Sequence, residues 1–185
     1  MSCTAHSTVG IIEYFERRAF GNHIDGSRLF VYKTTRNLLG LIGNTGVWLR
    51  DAINALTLRG VAPENAWPYT DKIPDFDLEP PPVVYELYQR YSGMKYFCHD
   101  PIGSNIPTTS VVQNIKTYLA ADIPSVFGFW GFDSFNDTDI KGGIPLPCDN
   151  DSWAFGHAMV AVGYDDTKNI KNTRCDRNTK GAFII

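Results

Sequence analysis

The spacing of apolar residues changes near the middle of this chain, and that change limits the fold more than any other feature. In the first half, apolar residues recur at the three- and four-residue intervals of a helix face. Val9, Ile12, Phe15 and Ala19 form one such series, predicting an amphipathic helix that begins near Cys3 and ends at Gly21-Asn22. A shorter helix is expected between Ser27 and Leu39. The clearest runs from about Thr45 to Arg59, with Leu49, Ala52, Ile53 and Leu56 on one stripe and Gly60 as its stop. The prolines and acids between Asp71 and Pro82 read as an extended crossover.

The second half favours strands. Met94 to Cys98 and Ser125 to Phe132 are β-prone, and Thr109 to Ala121 is a helix with Val112, Ile115 and Leu119 on one face. Gly142 and Gly143 make a turn entering a short strand through Pro147. His157 opens a buried strand that runs to Tyr164. Asp165 to Thr179 is expected to be a polar loop, and Gly181 to Ile185 the returning partner strand. Helices first and strands second point to an α+β protein of two lobes, lobe 1 over about 1–80 and lobe 2 over about 81–185.

Composition removes several function classes. The 185 residues carry a net charge of -3, which gives no electrostatic footprint for nucleic acid. No apolar run approaches the roughly 18 residues of a membrane helix, and no signal peptide is visible. Neither nucleic acid nor membrane is therefore expected as a partner. The four cysteines, Cys3, Cys98, Cys148 and Cys175, contain no C-x-x-C, so no metal or other cofactor is expected. Cys148 and Cys175 could pair, but nothing in the sequence argues that they do. A cytoplasmic place is only the default for so few cysteines, and oligomeric state is not legible.

Thiol chemistry is the strongest functional signal. A nucleophilic cysteine needs stabilisation as thiolate, a base within reach and donors for the developing oxyanion. Cys3 stands at a predicted helix N-terminus, where unpaired N–H groups and the dipole favour the thiolate. Of the four histidines, His23 and His99 lie in polar surroundings and read as surface residues. His6, one turn into the helix, reads as a packed structural residue. His157 follows Gly156 at the mouth of a strand, which would hold its ring toward a cleft; alone, it is as readily an ordinary strand-end histidine.

Taken together, these residues resemble the papain-like cysteine peptidases. Ser2-Cys3-Thr4-Ala5 is similar to the core of the family's nucleophile motif, and Gly156-His157-Ala158 through Val162-Gly163-Tyr164 to its histidine motif. Their separation of roughly 150 positions is close to the family's about 130–150. Trp67-Pro68-Tyr69 and Gly142-Gly143-Ile144 resemble intermediate family features in the right order, so the resemblance spans nearly the whole chain. It implies a helical lobe and an antiparallel β-sheet or barrel lobe with an active-site cleft between them. It implies peptide-bond hydrolysis of a peptide or protein substrate, with Cys3 as nucleophile, His157 as base and the Cys3 N–H in the oxyanion hole. It also implies that the Gly46 backbone pairs with substrate, where the plain alternative is a tight turn before the helix, and that Gly156 shapes the pocket beside His157.

Three departures qualify this. Thr4 replaces the aromatic that usually follows the nucleophile. The family's oxyanion glutamine would lie upstream of Met1, and its orienting asparagine just beyond Ile185. The chain therefore reads as a family member cut at both ends. The competing readings are a catalytically impaired fragment or peptide-binding module, and a different thiol-dependent acyl transfer.

Overall fold

The structure is a computed structural model, and it describes residues 1–88, 91, 94–100, 103 and 108–185. These form two compact units, Met1–Phe97 and Cys98–Ile185.

The first unit is built on three helices, α1 (Cys3–Phe20), α2 (Arg28–Leu38) and α3 (Leu49–Arg59). Only the first half of α1 is covered. Val9 and Ile12 are buried, whereas Phe15 and Ala19 of the expected stripe are exposed. Gly21, with φ 72°, and Gly60, with φ 70°, end α1 and α3 in conformations that strain other residues. The helix α2 is the centre of the unit. Ser27 caps it by accepting from the Phe30 N–H, and every residue from Leu29 to Arg36 is buried. Gly26 lets this segment approach α1, because a Cβ there would lie 2.9 Å from both Val9 and Val61 side-chain carbons. Val9, Ile12, Leu29, Val31, Leu56 and Phe76 share one core.

The third helix begins later than its pattern predicts, at Leu49 rather than Thr45. The Thr45 carbonyl accepts from the Tyr32 hydroxyl at 3.1 Å and is thereby drawn away from a helical ladder. The segment 71–82 is also more than a crossover. Asp75–Asp77 forms a 3₁₀ turn, Phe76 is buried, and Asp77 bonds to α2. The short helix α4 (Pro82–Glu86) follows, and Val84 packs with Phe30 and Ala62.

Residues 94–98 are not a strand. Met94 packs on the helical core, and the Tyr96 hydroxyl donates to Asn54, so side chains anchor this segment where no ladder does.

The second unit holds α5 (Thr109–Ala120) and two antiparallel pairs, β1 (Ser125–Phe132) with β2 (Trp153–Ala161), and β3 (Gly163–Asn172) with β4 (Arg177–Ile184). The expected loop over 165–179 is therefore mostly hairpin. Backbone pairing such as Asn169 with Lys180 and Lys171 with Asn178 needs no apolar side chains on a half-exposed ribbon. The expected strand after Gly143 is irregular instead. The Leu146 carbonyl accepts from Asn172 Nδ2 and the Pro147 carbonyl from Arg177. Cys148 and Cys175 form a disulfide with Cα atoms 5.9 Å apart. Beside it, the fully buried Asn172 donates to Ser134 Oγ at 2.6 Å, and Ser134 donates to Asp151. No described helix is long and apolar enough to cross a membrane.

Candidate functional site

Cys3 is the first residue of the 18-residue helix α1, and it is half-buried. Ser2 stands at the N-cap, yet its side chain makes no cap bond, and the first turn carries no acidic residue. The Ser2 hydroxyl is instead within 2.7 Å of the Tyr69 hydroxyl. The positive end of the helix is thus left to the thiol rather than satisfied by a capping oxygen. His6, expected to be packed, is exposed, yet it braces this terminus. Its ring meets Tyr69 edge-on at 4.7 Å, its Nδ1 lies 3.0 Å from the Ser2 carbonyl, and its N–H donates to the same carbonyl at 3.1 Å.

His157 lies in the middle of β2, not at the mouth of a strand, because the ladder with β1 extends back to Trp153. It pairs directly with Phe129. Side chains two apart on a strand, and those directly opposite, share a face. Phe129 and Phe155 accordingly meet the imidazole edge-on, with centroids 5.7 Å and 6.3 Å away. Gly131 permits this arrangement, since a Cβ there would sit 2.2–2.5 Å from three atoms of the Phe155 ring. Gly156, expected to shape the pocket beside His157, points to the other face, where a Cβ would contact the Trp130 ring at 3.5 Å.

Gly46 is exposed in an irregular segment, with nothing within 4 Å of where its Cβ would be. The turn before α3 is made by Gly43, whose φ is 79°, so that turn does not account for a glycine at 46.

Cys3 and Gly46 belong to the first unit, His157 and Gly156 to the second. His23 is exposed. His99, expected at the surface, is half-buried, 3.2 Å from Ser125 Oγ and edge-on to Tyr118, and burial lowers its pKa against the opposing pull of Asp100. Among the described residues no group of three or more His, Cys, Asp or Glu side chains could hold a metal ion.

Sequence reasoning missed Tyr69 as the partner of Ser2 and the two phenylalanines around His157. The i, i+2 spacing of Phe155 and His157 carried that second signal. The bond between Ser2 and Tyr69 joins positions 67 apart and left no local trace.

No family model matches the chain. It is 31% identical over 179 residues to an uncharacterized peptidase C1-like protein of Acanthamoeba polyphaga mimivirus, covering 93% of this chain and 57% of that protein. The chain thus spans little more than half of that relative. Among solved structures it is similar to xylellain, a cysteine protease from Xylella fastidiosa, with a TM-score of 0.70 and 29% identity over 93% of this chain and 67% of that one. The helices and antiparallel sheets agree with that fold, and the sequence likeness extends across nearly the whole chain, which supports a papain-like cysteine peptidase family.

Proposed function

We propose that this chain is a catalytic domain that hydrolyses peptide bonds, with Cys3 as nucleophile and His157 as general base and acid. The observation that carries the reading is the position of Cys3, at the N-terminus of a long helix whose cap residue turns its hydroxyl away to Tyr69. The Cys3 thiolate attacks the scissile carbonyl, and the carbonyl electrons move onto oxygen. The backbone N–H of Cys3 donates to that oxyanion. Collapse of the tetrahedral adduct breaks the C–N bond, and protonated His157 delivers the proton to the leaving amine. Water, activated by the now neutral imidazole, then hydrolyses the thioester. An extended peptide or protein is the substrate, with the Gly46 backbone pairing with it.

The test is labelling with a peptidyl epoxide. Cys3 should be modified at least tenfold faster than the exposed Cys98, and His157→Ala should remove that advantage. Equal labelling of the two cysteines, or an unchanged rate in His157→Ala, would refute the assignment.

A further inference from the structure

The strongest feature outside the residues already assigned is a charge buried in the helical unit. Arg36 is 0% exposed. Burying a guanidinium costs several kcal/mol that a salt bridge only partly recovers, so an ion pair of this kind is weak evidence for a stabilising role. Its Nε and Nη2 donate to the Tyr32 and Phe76 carbonyls, and its Nη1 reaches a short loop. Arg36 Nη1 donates to the Gly43 carbonyl and, at 2.7 Å, to Asp77 Oδ1. The other carboxylate oxygen of Asp77 accepts the Gly43 N–H at 2.8 Å. Both ends of one residue's backbone are thus gripped by the two members of the pair. Lys33 adds a second cation, 3.1 Å from Asp77 Oδ1.

The grip continues along the loop. Tyr32, whose ring lies 4.0 Å beneath the Arg36 guanidinium, directs its hydroxyl to Asn44 Oδ1 at 2.8 Å and to the Thr45 carbonyl at 3.1 Å. The Thr45 N–H donates to the Gly43 carbonyl at 2.9 Å. Residues 43, 44 and 45 are therefore each tied down, and the next residue is Gly46, exposed and uncrowded.

We propose that Tyr32, Arg36 and Asp77 are positioning residues that fix the 43–45 loop, so that the Gly46 backbone is presented to an extended peptide in a preset geometry. This inference rests on the peptidase reading above. A backbone that meets its ligand already ordered avoids the entropy of ordering on binding. Loosening the loop should therefore weaken peptide binding and leave the thiol's own reactivity alone.

Tyr32→Phe is the discriminating variant, because it keeps the ring under Arg36 and removes only the hydroxyl. A single hydrogen bond of this kind corresponds to about a 2–12-fold change in an equilibrium constant. We expect KM for a peptide substrate to rise about 5–10-fold with kcat within twofold. The rate of Cys3 alkylation by iodoacetamide, which needs no peptide contact, should stay within twofold. Hydrogen exchange at the 43–46 amides should quicken at least fivefold. Asp77→Asn should move KM and exchange in the same direction. An active Tyr32→Phe variant with unchanged KM and exchange overturns this inference alone, as does a parallel fall in kcat and alkylation rate. A wild-type protein that cleaves no peptide and captures no peptide aldehyde overturns the peptidase reading, and this inference with it.

Discussion

Removing the Cys148–Cys175 disulfide should cost the second unit about 3.5 kcal/mol. The bond links residues 27 positions apart. In the chain-entropy model a loop of that length restricts the unfolded state by roughly 12 cal/mol/K, or about 3.5 kcal/mol at 25 °C. The native side of the balance should change little, because both cysteines are held by other contacts. The Cys148 N–H donates to Asp151 Oδ2 at 2.7 Å. Arg174, which precedes Cys175, is 2.7 Å from Asp137 and 3.3 Å from Asp151. The perturbation is Cys148→Ser with Cys175→Ser. The assay is hydrogen exchange by mass spectrometry across a urea series, which follows peptides of each unit separately. At an m-value of about 2 kcal/mol/M, the midpoint for peptides of 98–185 should fall by roughly 1.5–2 M. Peptides of 1–97 should not move if the units unfold independently. A fall of less than about 0.5 M in the second unit would refute the unfolded-state argument. A larger fall, accompanied by faster exchange around Asn172 before unfolding, would show that the bond holds the native loops and that the polar contacts do not.

Two further perturbations test other parts of the structure. Gly131→Ala must displace the Phe155 ring and should destabilise by about 1–3 kcal/mol while shifting the His157 ring resonances. Gly156→Ala, one strand across with only a 3.5 Å contact to Trp130, should be neutral or stabilising by up to about 1 kcal/mol in thermal unfolding; a reversed order would contradict the packing around His157. Burial raises the Asp77 carboxyl pKa, but the Gly43 N–H, Lys33 and Arg36 outweigh it and hold it below its ordinary value of 3.8. A carboxylate lowered in this way stabilises the fold above the unfolded value, and its contribution is lost as pH falls from about 3.8 through the folded value. The melting temperature of the wild type should therefore drop over that range more than that of Asp77→Asn, and parallel curves would remove Asp77 as the cause.

How much could be read in advance depended on the range of the interaction. Helix α1 from Cys3 to Gly21, the run toward Arg59 and the helix after Thr108 were legible because their signals are local: apolar spacing, caps and stop glycines act within one or two turns. The candidate pair was singled out on the same kind of signal. Cys3 and His157 each sit inside a short motif whose neighbours are adjacent in sequence. Only the tertiary structure decided what surrounds them. The hairpin through Lys171 and Asn178 hides in polar residues, because a ladder is made by backbone groups that every residue carries. Arg36 looks like a surface cation on an ordinary helix, and it becomes a buried clamp only when Asp77, 41 positions away, meets it. The Tyr69 hydroxyl at Ser2 and the Phe129 ring beside His157 likewise come from distant segments. Local motifs thus singled out the candidate residues, and long-range packing determined how each is held, because a side chain's partners are chosen by the fold and leave no periodic mark in the sequence.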